Sequence, residues 1–252
     1  MNARAYSAVA MDGLLVVDKP AGWTSHDVVA LVRSHTGVRK VGHAGSLDPL
    51  ATGVLLILLG RATKLADRWL AVDKEYVTTV ALGTATDSGD AAGAVIGTRP
   101  VPSSVTRERV EAVLSSLTGS MLQTPPMVSA LKHRGRPLYW WARRGQTVER
   151  AARPVQIHAL ELLAFDSPTF TLRIVCSKGT YIRTLAEDIA AALETVGHLT
   201  ALQRTRVGPH TLAQAVSVEW IRAAEPAAFR ARLLPLALPP GDAVQSVDHA
   251  TT

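Results

Sequence analysis

The sequence predicts an α+β fold, with a central mixed, mainly antiparallel sheet flanked by helices. Short apolar runs and alternating stretches of strand length are interleaved with apolar stripes of helical spacing. The interleaving is irregular and lacks the repeated strand–helix beat of a parallel α/β sheet. The length sets the scale. A chain of 252 residues suits one large domain or two small ones, and no tandem repeat or low-complexity tract divides it.

Each element has its own warrant. Residues 14–17 are an apolar run ended by Asp18, Lys19 and Pro20, which predicts a buried strand entering a turn. Thr24 opens a helix: Asp27 stands at the capping-box spacing, Val28, Val29, Leu31 and Val32 share a face, and Gly37 ends it. Residues 54–59 read as a fully buried strand. Residues 76–82 alternate, with Tyr76, Thr78, Val80 and Leu82 on one side. Val110, Val113, Leu114 and Leu117 stripe a helix that Gly119 closes. Pro137 starts a short helix that Gly145 stops. Residues 155–165 and 170–176 read as two strands. Ile182, Leu185, Ala186, Ile189, Leu193 and Val196 stripe a further helix with Gly197 at its end. After Gly208 the chain holds one helix, at 217–224, then a Pro-rich stretch and a polar end.

Composition excludes several classes. The apolar fraction is 47% and the charged fraction 19%, as in globular chains. The single cysteine, Cys176, rules out an intrachain disulfide and a cysteine-rich zinc site, and it continues the inward alternation of Phe170, Leu172 and Ile174. The longest aliphatic run, residues 54–59, is far short of the ~20 residues that span a bilayer. Arg4 and the interrupted patch at 14–17 do not read as a signal peptide, so a cytoplasmic setting is expected. Aromatic residues are 5%, too few for a broad base-stacking platform.

Four segments could carry chemistry. Residues 42–53, GHAGSLDPLATG, form a glycine-rich loop before a buried strand. Asp48 precedes Pro49 there and reads as a nucleophile, a base or a turn-capping residue. In residues 82–90, Asp87 and Asp90 read as turn acceptors, without the ligand spacing of a calcium loop. Residues 132–153 hold seven cations against Glu149, matching the whole net charge of +6, with Tyr139, Trp140 and Trp141 interleaved. That pattern fits RNA phosphates and stacked bases, or a solvated basic helix with tryptophans turned inward. Residues 176–183, CSKGTYIR, turn from a strand into a helix. Arg183 in the first helical turn opposes the dipole, so it reads as either exposed or placed against a carboxylate. No dinucleotide or P-loop glycine pattern occurs.

Together these segments resemble the tRNA pseudouridine-55 synthase family of the bacterial TruB type. The resemblance rests on LVVDKP at 15–20, GHAGSLDPLATG at 42–53, Lys74-Glu75-Tyr76, Leu82-Gly83 and TDSGD at 86–90. It continues through PPMVSALK at 125–132, Ala152-Arg153-Pro154, CSKGTYIR at 176–183 and Leu202-Gln203-Arg204, in the family's order across about residues 13–208. The common catalytic loop has Thr where Ala44 stands, and often Thr or Ala where Ser46 stands.

The resemblance implies a pseudouridine synthase fold that isomerises a uridine in the tRNA T loop, at position 55, by base flipping. The C1′–N1 bond breaks and the ring rejoins through C5, with no metal or cofactor. Asp48 is the implied nucleophile, paired with Arg183. Tyr76 is implied to stack on the flipped uracil. His43 is implied to hold the rearranged loop, Tyr181 and Leu202 to line the pocket, and Lys19 and Pro20 to support it. Residues 124–153 match the family's RNA-gripping insertion, with Lys132, Arg134, Arg136, Arg143, Arg144 and Arg153 as RNA contacts. The expected organisation is a tail at 1–12, a catalytic domain at 13–208 and a short extension at 209–252 without a complete PUA-type domain. The expected partner is the tRNA T stem-loop, with no membrane, no required protein partner and a monomeric chain. Two other readings are a non-catalytic tRNA-binding or folding module, and a metal-dependent hydrolase using Asp48, Asp87, Asp90 and His43.

Overall fold

The structure is a computed structural model that describes residues 11–239. Of the expected tail at 1–12 and extension at 209–252, residues 1–10 and 240–252 lie outside the described residues. In chain order the elements begin with β1 (Gly13–Lys19), α1 (Ser25–Thr36), β2 (Val41–Ala44), β3 (Thr52–Leu59), α2 (Ala66–Ala71), β4 (Lys74–Leu82), β5 (Thr84–Thr86) and β6 (Val95–Thr98). They continue with α3 (Arg107–Ser116), β7 (Gly119–Gln123), β8 (Lys132–His133), β9 (Arg136–Pro137), α4 (Leu138–Ala142), β10 (Arg153–Asp166) and β11 (Thr169–Cys176). The last are α5 (Ile182–Ala192), β12 (Gly197–Val207), β13 (His210–Thr211), α6 (Val218–Ala223) and α7 (Pro226–Ala231). This is the α+β class that the sequence predicts.

The chain divides into two compact units. Among the described residues, one comprises those through Asp73 and those from Arg204 onward, and the other runs from Lys74 to Gln203.

In the first unit β3 is the centre. It pairs antiparallel with β1 along its length and with β2 through residues 56–59. Leu14, Val16, Val54, Leu56, Leu58, Trp69 and Val207 form one apolar cluster there. The capping box forms as expected: Asp27 N–H donates to Thr24 Oγ1 at 3.1 Å, and Thr24 N–H donates to the Asp27 carboxylate at 2.8 Å. Gly37 ends α1 in the left-handed region at φ 71°. Val28, Val29 and Val32 are buried, whereas Leu31 is half-buried at the edge of that face. Helix α6 packs on α1 and β1, capped by Ser217 Oγ, which accepts from Trp220 N–H at 3.1 Å. Leu234 and Leu14 exchange backbone bonds of 2.8 and 3.0 Å.

In the second unit the strand order is β12-β4-β11-β10-β7. The β4–β11, β11–β10 and β10–β7 ladders are antiparallel. Strand β4 buries every second residue: Lys74, Tyr76, Thr78, Val80 and Leu82. Cys176 is 1% exposed, as its alternation predicts. Helix α3 packs against β10 and α5.

Two helix ends differ from the expectation. Gly119 does not close α3. The helix stops at Leu117, Thr118 Oγ1 donates back to Leu114 O at 2.9 Å, and Gly119 opens β7 at φ +112°. Helix α5 ends at Ala192 rather than near Val196. Glu194 takes the left-handed conformation at φ 62°, and Thr195 Oγ1 donates to Arg99 O and Pro100 O at 3.0 and 3.1 Å. Those bonds draw the chain out of the helix, and Gly197 starts β12. Pro137 stands just before α4 in extended conformation, not inside its first turn.

Candidate active site

In the first unit the expected catalytic loop is the segment 45–51, between β2 and β3. The expected loop is shorter than 42–53, because Gly42, His43 and Ala44 belong to β2 and Thr52 and Gly53 to β3. Asp48 sits at its apex, half-buried. Backbone groups on both sides of it are held by buried side chains. Leu47 N–H donates to Ser25 Oγ at 2.9 Å, and that hydroxyl donates to Leu47 O at 3.3 Å. Pro49 O accepts from Gly22 N–H at 2.8 Å and from the Lys19 ammonium at 3.4 Å. Ala51 N–H closes the turn on Asp48 O at 3.0 Å. These bonds fix the backbone that carries the Asp48 carboxylate.

Lys19 is fully buried and also donates to Pro20 O at 2.9 Å and Trp23 O at 2.7 Å. Burial pushes its ammonium down to about 8, while the charge of Asp48 acts in the opposite direction. Pro20 contributes its carbonyl to this cluster. His43 lies on β2 with its ring edge-to-face with His26, centroids 5.5 Å apart. Burial, then the nearby charges of His26 and Arg204, push its imidazole down to about 4, so it is neutral at pH 7. It borders a depression of about 440 Å³ lined also by His26, Asp27 and Arg33.

In the second unit Tyr76 is 9% exposed on β4, opposite Ile174 of β11. Leu202 is buried on β12, the strand beside β4, where Thr78 Oγ1 donates to Ala201 O at 2.6 Å. Tyr181 and Arg183 stand at the start of α5. Gln123, 3% exposed, clamps Tyr181 from both sides: its amide oxygen accepts from Tyr181 N–H at 2.7 Å and its amide nitrogen donates to Tyr181 O at 3.1 Å.

Arg183 is 3% exposed, which removes the reading of a solvated first-turn arginine. Its guanidinium donates to Ser88 O and to Val128 O, each at 2.6 Å. It therefore holds both the 86–90 turn and the start of the 124–153 segment. Gly89 is required in that turn: at φ +76° a Cβ would lie 2.8 Å from Glu187 Oε1 and 3.2 Å from Arg183 Cβ. Asp87 and Asp90 are the turn acceptors the sequence predicts. Asp87 Oδ1 accepts from Ala94 N–H at 2.9 Å, and Asp90 Oδ1 from Ser88 Oγ at 2.7 Å and Ala92 N–H at 3.0 Å. Among the described residues there is no group of three or more His, Cys, Asp or Glu placed to hold a metal ion.

The basic segment folds as a short hairpin followed by a helix. Strands β8 and β9 pair across Arg134 and Gly135, at φ 48° and 79°, a two-residue turn whose twist matches a hairpin. Helix α4 follows, anchored by buried Leu138. Arg144 lies 3.5 Å over the Trp140 ring and Arg136 5.4 Å from it. Trp140 and Trp141 are half-buried and Tyr139 is exposed, so the aromatics are not simply turned inward. Lys132, Arg134, Arg136, Arg143, Arg144 and Arg153 are all exposed.

The sequence pattern of the TruB family pseudouridylate synthase N-terminal domain matches residues 33–182, more than half of the chain. The chain belongs to the TruB family. A tRNA pseudouridylate synthase B C-terminal domain matches residues 183–238 of this TruB family chain. It is 51% identical over 228 residues to the tRNA pseudouridine synthase B of Ralstonia pickettii, covering 89% of this chain and 71% of that one. It is 50% identical over 224 residues to the enzyme of the same name from Aromatoleum aromaticum, covering 89% and 72%. Among solved structures it is similar to a chain of a Cbf5–Nop10–Gar1 complex, with TM-score 0.67 and 28% identity. That match covers 89% of this chain, which spans only 60% of the other.

Three TruB positions that the sequence reading left without a role emerge from the fold. Ser25, Gln123 and Arg204 are buried polar residues, at 3%, 3% and 1% exposure. Ser25 follows the helix cap and could pass for ordinary capping chemistry. Gln123 stands in a strand the reading did not identify. Arg204 lay inside a quoted motif, but nothing in a strand's alternation marks an arginine as internal.

Proposed function

We propose that this chain converts uridine to pseudouridine in tRNA, at position 55 of the T loop, with Asp48 as the nucleophile. The observation that carries this is the half-buried Asp48 on a TruB-family loop whose flanking backbone is held by Ser25 and Lys19. The reaction is an isomerisation. The C1′–N1 bond breaks, C1′–C5 forms, the C5 proton leaves and N1 gains one, so no redox partner or external group is consumed.

In this reading Arg183 pairs with the Asp48 carboxylate and favours its ionised form. Tyr76 stacks on the extruded uracil, Tyr181 and Leu202 line its pocket, and neutral His43 holds the opened loop. Extrusion costs a few kcal/mol, which RNA contacts from Lys132, Arg134, Arg136, Arg143, Arg144 and Arg153 offset. The proposed organisation is a catalytic domain at 13–208 carrying the insertion at 124–153, with an extension from 209. The proposed working form is a cytoplasmic monomer needing no protein partner. Among the described residues no helix is long and apolar enough to cross a membrane.

The test is tritium release from C5-labelled uridine in a T-arm RNA. Wild type is expected to release it and Asp48→Asn to lose it. Full release by Asp48→Asn removes the nucleophile assignment, and restored tRNA folding without pseudouridine by the same variant favours the non-catalytic reading.

A further inference from the structure

Among the described residues of the first unit, Arg204 is the most deeply buried charge outside Lys19, at 1% exposure, and it reaches the Asp48 loop from β12. Its Nε donates to Val54 O at 2.7 Å, its Nη1 to Ser46 O at 3.3 Å and its Nη2 to Gly45 O at 3.0 Å. Val54 lies in β3, after the loop; Gly45 and Ser46 lie before Asp48. One planar guanidinium thus ties the two ends of the loop to each other through a fixed fork. A lysine could not do this, because an ammonium is a point donor on a flexible stem.

Two glycines of the loop also lie against Arg204. Gly45, at φ +90°, would carry a Cβ 3.5 Å from Arg204 Nη1. Gly53, at φ +101°, would carry one 2.2 Å from Arg204 O, so the backbone of β12 is pressed against the far end of the loop. Gly53 is therefore explained by its close approach to the Arg204 backbone, and Gly45 by its left-handed conformation, rather than by substrate.

We infer that Arg204 is a positioning residue for the pseudouridine reaction, acting through the backbone of residues 45, 46 and 54 to hold Asp48 at its attacking angle. This rests on the reading of Asp48 as nucleophile. A nucleophile misplaced by about 1 Å loses on the order of a hundredfold in rate. The RNA-binding surface proposed at 132–153 is untouched by Arg204, so the loss falls on the chemical step.

The experiment measures kcat and KM for T-arm RNA in Arg204→Lys, Gly45→Ala and Asp48→Asn, with thermal melting of each protein. Arg204→Lys is expected to keep the charge, lose the fork and lower kcat at least tenfold with KM within threefold of wild type. Gly45→Ala leaves the guanidinium in place but strains the φ +90° backbone that carries its acceptor, Gly45 O, and it is expected to lower kcat in the same way. It remains informative if Arg204→Lys fails to fold. The inference is overturned if folded Arg204→Lys or Gly45→Ala turns over within threefold of wild type, or if KM rises as much as kcat falls. Asp48→Asn separates the two claims. Its inactivity beside an active Arg204→Lys sinks only the positioning role, whereas its full activity sinks the nucleophile assignment itself.

Discussion

The ammonium of Lys19 donates to the carbonyl of Pro49, the residue that follows Asp48, from a position with no solvent exposure. Buried lysines resist protonation, and this one is pushed down to about 8 from 10.5. Between those values the unfolded chain holds a proton that the native chain has released, so unfolding free energy rises with pH across that window. Below pH 8 both states are protonated, and the cost of burying the charge is fully present. The expected outcome is that wild type gains up to about 3 kcal/mol relative to Lys19→Met from pH 8 to pH 10.5, with a flat difference below pH 7. Urea unfolding at a series of pH values measures it. Parallel curves for the two proteins throughout that window would show that Lys19 titrates normally.

Arg183 couples two segments that are far apart in sequence, through Ser88 O and Val128 O. Arg183→Met leaves both carbonyls without this donor, at about 1–3 kcal/mol each where water cannot replace it. A loss of about 3 kcal/mol lowers Tm by about 6–12 °C at this chain length. Releasing Val128 also loosens the start of the basic segment, whose exposed lysine and arginines are trypsin sites. Faster tryptic cleavage between Lys132 and Arg144 is therefore expected, and Arg183→Lys is expected to fall between wild type and Arg183→Met. An unchanged melting point with an unchanged cleavage pattern would mean that the two bonds contribute nothing.

How much of this was legible follows from which forces decide each element. Strands β1, β3, β10 and β11 and helix α1 declare themselves because local signals agree with packing: apolar runs, a capping box, a terminal glycine. Strand β12 does not. Its sequence, GHLTALQRTRV, buries Arg204 where a strand pattern calls for an apolar residue. The end of α5 was misplaced because Leu193 and Val196 continue an apolar stripe, while Thr195, decided by distant carbonyls, leaves the helix. At the site, Asp48, His43 and Lys19 were readable from motif resemblance. Ser25, Gln123 and Arg204 were not, since their roles lie in bonds to backbone atoms 22 to 159 residues away.

His43 should be neutral throughout the physiological range. Burial is the main cause, with His26 and Arg204 adding repulsion, and the imidazole is pushed down to about 4. The native state therefore holds fewer protons than the unfolded chain between pH 4 and pH 6.5, and stability falls as pH drops through that window. NMR titration of the ring protons, assigned with His43→Gln, is expected to place the His43 midpoint near 4. A His43 midpoint above 6 would mean that its ring is more solvated than the fold implies.

Trp140 is the platform on which Arg144 and Arg136 rest, at 3.5 and 5.4 Å. It also meets Trp141 edge-on at 4.9 Å, and Trp141 Nε1 donates to His133 O at 3.4 Å, joining α4 to the β8–β9 hairpin. A guanidinium laid on an indole face is held in orientation without losing its charge. Neutral Trp140 thus controls where two cations point. Each phosphate contact that is lost lowers the slope of log affinity against log salt by about 0.7–0.9. Arg134→Ala, at the hairpin turn, is expected to remove one such contact. Trp140→Ala removes no charge, yet it is expected to lower the slope by about two contacts and to weaken T-arm RNA binding most at low salt. Fluorescence anisotropy from 50 to 300 mM salt measures both. If Trp140→Ala keeps the wild-type slope while Arg136→Ala and Arg144→Ala reduce it, the arginines orient themselves and the indole serves only to pack α4.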